Sequence, residues 1–280
     1  MEKMSLPESL LKNMTFHSDT CDKHTYFKGK EKVVKLQQKI MYNGELVCPM
    51  CETAKETEKL EREQKESYEK TLRLEKYHTF ENKSLITDNT LLDATLYNYR
   101  TPEPEQLKNK RIVTDVIERY KAGEVFNTII QGEPGSGKSH LAISMLKVLN
   151  ESDKLDTSCL FVNIEDMFRK MKNSFNDKES KYTETYFIEL LAKVDFLVLD
   201  DLGAESGAIE SDRAATNFVQ RVLYGAMNYR QDKATITTMN LSGIQLKDRY
   251  DSKLISRILK KPKYIVFTET KDNRLLDIPF

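Results

Sequence analysis

Between residues 126 and 268 the chain alternates two patterns: short apolar runs bounded by polar turns, and longer stretches where apolar residues recur every three or four positions. The runs predict strands at Thr128–Gln131, Ser158–Asn163, Asp195–Leu199, Ala234–Thr238 and Tyr264–Thr268. Between them, Leu141, Met145, Val148 and Leu149 share one helical face, and a helix starting at a Ser211–Asp212 cap carries Ala215, Phe218, Val219, Val222, Ala226 and Met227 on another. Such alternation predicts an α/β domain, a five-stranded parallel sheet covered by helices on both sides. Twelve residues, Glu269 to Phe280, follow the last strand, too few for a helical lid.

The pattern is different upstream. From Glu52 to Lys76 the sequence is dense in Glu, Lys and Arg, with Leu60, Tyr68, Leu72 and Leu74 as its larger apolar groups. It predicts an exposed helix supported by i,i+4 pairs such as Glu61 with Lys65 and Glu66 with Lys70, its apolar repeat too sparse for a coiled coil. A less regular stretch from Leu85 to Pro104 contains Asn98-Tyr99-Arg100-Thr101-Pro102. These changes divide the chain into a module over residues 1–55, a charged helical linker over 56–104 and the α/β domain over 105–280.

The chemistry begins at Gly132-Glu133-Pro134-Gly135-Ser136-Gly137-Lys138-Ser139-His140, which satisfies GxxxxGK[ST] at every fixed position after one predicted strand and before a helix. Glycines let successive N–H groups turn around a phosphate, Lys138 neutralises β/γ-phosphate charge, and Ser139 can ligate Mg²⁺. The helix N-terminus adds a favourable dipole. Phe196-Leu197-Val198-Leu199-Asp200-Asp201 reads as a strand buried on both faces with two carboxylates at its C-terminal tip, the edge at which open α/β sheets bind ligands. Asp200 suits Mg²⁺, and Asp201 suits polarising the water that attacks the γ-phosphate.

Composition adds exclusions. The 44 basic and 44 acidic side chains give no net charge, so any nucleic-acid binding must come from a local patch. No apolar run approaches the ~20 residues needed to cross a bilayer, and the N-terminus lacks a signal-peptide layout. A cytoplasmic protein with reduced cysteines is expected. Cys21-Asp22-Lys23-His24 and Cys48-Pro49-Met50-Cys51 are separated by 23 residues. CxxH followed by CxxC is the spacing of a structural zinc site, with Cys21, His24, Cys48 and Cys51 as ligands, and a segment too small for its own core needs such a staple. Three unrelated thiols, or a redox pair at Cys48 and Cys51, are the alternatives, and His17 is a weaker alternative ligand. Cys159 opens a predicted core strand and reads as a small buried hydrophobe.

The loop GEPGSGKSH, the segment DFLVLDDLGAE at 195–205, Thr237-Thr238-Met239-Asn240 and Ser256-Arg257-Ile258-Leu259 resemble the AAA+ ATPases of bacterial helicase loaders, the DnaC and DnaI type. The absent lid fits that group, and an N-terminal zinc module is similar to the DnaI branch. The resemblance covers residues 85–280 by motif and the first 55 by cysteine pattern alone. It implies ATP and ADP as ligands with Mg²⁺, Zn²⁺ in the module, Asn240 as the residue orienting the attacking water, and Arg257 as a finger reaching a neighbouring subunit's γ-phosphate. Arg274 is a looser candidate for phosphate sensing. The implied function is loading of a hexameric replicative helicase onto single-stranded DNA, the N-terminal module gripping the helicase and Arg257 mediating self-association.

One departure is Asp201, where many AAA+ enzymes carry Glu. A side chain shorter by one methylene places the carboxylate about 1.5 Å further from the same water, so slow hydrolysis is expected. The stretch Met167-Phe168-Arg169-Lys170-Met171-Lys172-Asn173-Ser174-Phe175 corresponds to the family's single-strand contact, and equally fits an amphipathic helix burying Phe168 and Met171. Two other functions remain open: a transposition helper ATPase of the IstB type, against which the cysteine module argues, and a nucleotide-binding scaffold without useful ATPase activity.

Overall fold

The computed structural model describes residues 15–42, 44–152, 156–206 and 215–270. The predicted Ser211–Asp212 cap and Arg274 lie outside them. The chain forms two compact units, residues 1–71 and 72–280.

In the first unit, strands β1 (Thr15–Lys28), β2 (Glu31–Tyr42) and β3 (Glu45–Val47) form an antiparallel sheet in that order. Lys28 pairs with Glu31 across a two-residue turn whose first member, Gly29, takes φ +66°, the sign that the hairpin-favouring turns require there. The register slips between Cys21 and His24, so β1 bulges where the CxxH pair lies. Helix α1 (Pro49–Tyr77) follows β3, with Pro49 at its first position. It has no buried residue, as its charge pattern predicts.

In the second unit, α2 (Thr79–Lys83) and a short 3₁₀ turn (Asn89–Asp93) precede α3 (Pro104–Lys121). There follow β4 (Asn127–Gln131), α4 (Lys138–Asn150), β5 (Cys159–Asn163), α5 (Ile164–Ser174), α6 (Glu184–Lys193), β6 (Phe196–Leu202), α7 (Asn217–Tyr229), β7 (Ala234–Met239), α8 (Gly243–Arg249), α9 (Ser252–Ile258) and β8 (Pro262–Val266). The five strands are parallel in the order β5-β6-β7-β4-β8. Alternate residues feed two cores: Ile129, Leu160, Val162, Leu197 and Leu199 pack with α5, α6 and α7, while Ile130, Phe161, Val198 and Ile236 pack with α3 and α4. Among the described residues no helix is long and apolar enough to cross a membrane.

Several details differ from the sequence-based expectation; the last strand, for one, spans Pro262–Val266 rather than Tyr264–Thr268. Helix α7 is capped by the Thr216 side chain and begins at Asn217, so Ala215 is buried ahead of the helix rather than on its face. Strand β6 does not end at the two aspartates but runs on to Leu202.

Arg230, just past α7, is buried and uses its guanidinium as a five-donor clamp. Nη1 donates to the carbonyls of Leu191 and Val194 at 2.7 Å each, Nη2 to Asp195 (3.1 Å) and Ala234 (2.6 Å), and Nε to the Thr235 hydroxyl (3.1 Å). Burial pushes its pKa down to about 9. The clamp ties the end of α6 to the starts of β6 and β7. Arg230→Met keeps most of the apolar stem but takes a donor from four carbonyls, three of them in buried bonds, so a loss of about 3 kcal/mol is expected, read as a lowered midpoint in urea unfolding of the second unit.

Candidate nucleotide site and metal cluster

The loop between β4 and α4 places its chemistry by backbone conformation. Gly135 and Gly137 take φ +74° and +94°, values that favour glycine. At Gly137 a Cβ would meet the Tyr99 ring at 2.8 Å. Lys138 opens α4, and its Nζ donates to the Glu133 carbonyl at 2.8 Å, which keeps the ammonium over the loop. Ser136 Oγ donates to the same carbonyl, also at 2.8 Å. The Gly132 N–H donates to Met239 O (3.2 Å), which brings Asn240, the residue after β7, beside the loop.

Asp200 is buried, and its carboxylate accepts hydrogen bonds from the Ser139 and Thr238 hydroxyls, the latter at 2.8 Å. Burial, reinforced by the neighbouring Asp201 charge, pushes its pKa up to about 6. Asp201 is exposed and has φ +58°, one of two described non-glycine residues with positive φ. That conformation costs roughly 1–2 kcal/mol, which Asp tolerates better than most residues. Beyond it, the Gly203 N–H donates to Glu205 (3.0 Å), and Arg249 Nη1 donates to Gly203 O (2.9 Å). A loop of left-handed glycines, an inward ammonium, and a serine hydroxyl bonded to a buried carboxylate fit a triphosphate with its cation. Such an ion between Ser139 and Asp200 would neutralise phosphate charge and orient the β- and γ-oxygens.

Residues 84–99, which carry no recognisable sequence motif, form a strap on this site. Leu85 bridges to Val162 as a short extension of the sheet beyond β5. His140 Nε2 donates to Thr95 O (2.9 Å), and Lys147 Nζ donates to Ala94 O (2.8 Å). Tyr99 lies edge-on to the His140 ring, and burial raises its pKa. Tyr99 sits within the Asn98-Tyr99-Arg100 stretch, but nothing in its local pattern marks it as a loop contact.

Arg257 occupies a different place. Its carbonyl, with that of Ile258, accepts from the Asn127 amide at 3.0 and 2.9 Å, so the end of α9 is pinned to the start of β4. The phosphate loop follows the other end of that strand, about 13 Å away along four residues. The Arg257 guanidinium lies 6.0 Å from the Tyr224 ring centroid. In α5, Met167, Phe168 and Met171 are buried in the core, Arg169 pairs with Asp166, and Lys170 lies over Tyr182. The helix is thus amphipathic, with its basic side chains on the outer face.

The first unit brings Cys21, His24, Cys48 and Cys51 together, all donor atoms within 4.8 Å of one another. His24 Nε2 lies 3.1 Å from Cys48 Sγ and 3.3 Å from Cys51 Sγ, and Cys21 Sγ lies 3.7 Å from Cys51 Sγ. Tetrahedral zinc with Zn–S bonds near 2.3 Å holds its sulfurs about 3.8 Å apart, so the donor set and its spacing suit that ion. The bulge in β1 supplies one knuckle. The first turn of α1, where the Glu52 N–H donates to Cys48 O, supplies the other. A hydrogen bond from the Lys23 backbone holds the Cys21 thiol below its ordinary pKa, while desolvation pushes Cys51 up. His17 is not part of the cluster; its Nδ1 accepts from the Asp19 N–H. Cys159 is buried in the second unit, as expected, and its pKa is raised by burial.

Three comparisons with known proteins agree. The sequence pattern of the family described as IstB-like ATP binding protein matches residues 50–263, which leaves Cys21, His24 and Cys48 outside it. The replicative helicase loader DnaC of Escherichia coli (strain K12) is 28% identical over 114 residues, 41% of this chain and 44% of that protein. The replicative helicase loader DnaC of Buchnera aphidicola subsp. Schizaphis graminum is 28% identical over 115 residues, 41% of this chain and 45% of that one. The match thus spans less than half the length of these relatives. Among solved structures, a DnaC helicase loader superposes with a TM-score of 0.54 at 22% identity, covering 65% of this chain and 100% of the other. DnaI superposes at 0.51 and 22% identity, covering 66% and 96%. At these identities the structural likeness is one of fold, the parallel α/β sheet with its helices.

Proposed function

Because the chain belongs to the family of IstB-like ATP binding proteins, we propose that it is an ATP-dependent loader of a hexameric replicative helicase, delivering that ring onto single-stranded DNA. The observation that carries the reading is the joining, in one chain, of a complete phosphate site with a separate Cys₃His unit suited to zinc. The 1–55 module, with its zinc ligands, grips the helicase; 56–104 links it to the ATPase domain, 105–280, with residues 84–99 of that link packed on the nucleotide loop and its helix as part of the second unit. Lys138 and the loop from Gly132 to His140 hold ATP or ADP, Ser139 and Asp200 hold Mg²⁺, Asp201 polarises the attacking water and Asn240 orients it.

The remote position of Arg257 supports its acting on a neighbouring subunit, because the end of α9 is fastened to the strand end away from its own loop. Nucleotide binding then favours self-association, and hydrolysis favours release. The outer basic face of α5, with Arg169, Lys170 and Lys172, is the proposed single-strand contact. The first unit exposes Phe16, Phe27, Val34 and Leu36 on a hairpin rich in lysine. Aliphatic as well as aromatic exposure with a basic rim suits an apolar patch edged by carboxylates on the helicase.

The test is light scattering after size exclusion of the full chain mixed with the replicative helicase of the same host, with ATP and with ADP. A complex is expected whose stoichiometry changes between the two nucleotides. Absence of association under both conditions would sink the loader reading and bring forward the IstB-type transposition helper.

A further inference from the structure

Strand β6 contains one residue too many for its partner. Leu199 pairs with Thr237 and Leu202 with Met239, so three steps on β6 match two on β7, and Asp200 and Asp201 together oppose Thr238. Bulges of this kind are rare in parallel sheets and tend to lie beside active sites. This one has a visible consequence for the core. Leu197 and Leu199 point into the layer packed by α5, α6 and α7, so regular alternation would put Asp201 there next. With the extra residue it is Leu202 that joins that apolar layer, while Asp201 is exposed.

The buried Thr238 hydroxyl holds this arrangement at both ends. It accepts the Asp201 N–H at 2.8 Å and donates to Asp200 Oδ1 at 2.8 Å. We propose that Thr238 is a positioning residue for ATP hydrolysis: its hydroxyl locks the β6 bulge, orients the Asp200 carboxylate and holds Asp201 in the left-handed conformation that presents its carboxylate to solvent. The inference rests on the ATPase reading above. It also gives the Asp at position 201 a reason, since a left-handed backbone accommodates Asp more readily than Glu.

Thr238→Val is nearly isosteric and removes both hydrogen bonds, whereas Thr238→Ser keeps the hydroxyl. In the full chain Thr238→Val is expected to lower kcat about 10- to 100-fold with KM changed by less than about 3-fold, and Thr238→Ser to restore turnover to within about 3-fold of wild type. A second readout needs no turnover: the Mg²⁺ concentration that half-maximally tightens a non-hydrolysable ATP analogue should rise several-fold in Thr238→Val and stay unchanged in Thr238→Ser. Asp201→Glu, at an exposed position, is the arm that survives if Thr238→Val does not fold: side-chain length alone would bring the longer carboxylate nearer the water, but the left-handed backbone at this position disfavours Glu, so its turnover should not exceed that of wild type. Wild-type kinetics and Mg²⁺ dependence in Thr238→Val, or faster turnover in Asp201→Glu, would overturn the proposal. A wild-type chain without ATPase activity, alone or with helicase and DNA, would instead sink the ATPase reading.

Discussion

Chelating the metal from zinc-loaded protein is expected to unfold the first unit while the second keeps its melting transition. Among the described residues up to 71, the buried apolar side chains are Cys21, Ile40 and Cys48, so Ile40 is the only buried aliphatic outside the ligand set. Burying one such side chain contributes about 2 kcal/mol, against an ordering cost of roughly 1–2 kcal/mol for every backbone residue in the hairpin. Structural zinc in small modules contributes about 10–16 kcal/mol, enough to reverse that balance. Amide dispersion in NMR spectra of the full chain, followed with release of zinc to a colorimetric chelator, measures it. Cys48→Ser should give the same collapse without a chelator. Dispersed hairpin amides that persist after stoichiometric metal release would contradict the staple.

The second large effect is at Lys138. Lys138→Ala is expected to reduce ATP turnover about 10³-fold and to weaken triphosphate binding, because the ammonium, itself buried, carries the charge that answers the β/γ-phosphates. In the folded chain it donates to a loop carbonyl, Glu133 O, and its charge also favours the buried Asp200 carboxylate, so a modest fall in the nucleotide-free melting temperature is expected alongside the loss of turnover. The same variant separates a switch from a scaffold. A loader loses nucleotide-dependent association with its helicase, whereas a scaffold that uses no nucleotide associates as before. Stopped turnover with ATP-dependent assembly fully retained would argue that hydrolysis and assembly are uncoupled.

Much of the second unit could be read in the sequence because its signals are local. Strands buried on both faces appear as continuous apolar runs, and the phosphate loop needs glycine at fixed offsets whatever surrounds it. Cys21, His24, Cys48 and Cys51 were legible because two knuckles of fixed spacing leave few ways to close a tetrahedron. The start of α7 was not, since Ser211–Asp212 and Thr216 are both adequate caps and only packing chooses between them.

Sequence by itself therefore determined the strand and helix order, the glycine-rich loop with Lys138, and the four Cys and His side chains that cluster in the first unit, all set by spacing along the chain. Tertiary structure decided the rest. It placed Tyr99 against Gly137, pinned the end of α9 to the far end of β4, and gathered five acceptors around Arg230. It also decided that Asp200 and Asp201 share one partner, Thr238. That last relation depends on register between β6 and β7, strands joined through the whole of α7, and a one-residue slip in register leaves no trace in either strand's own pattern.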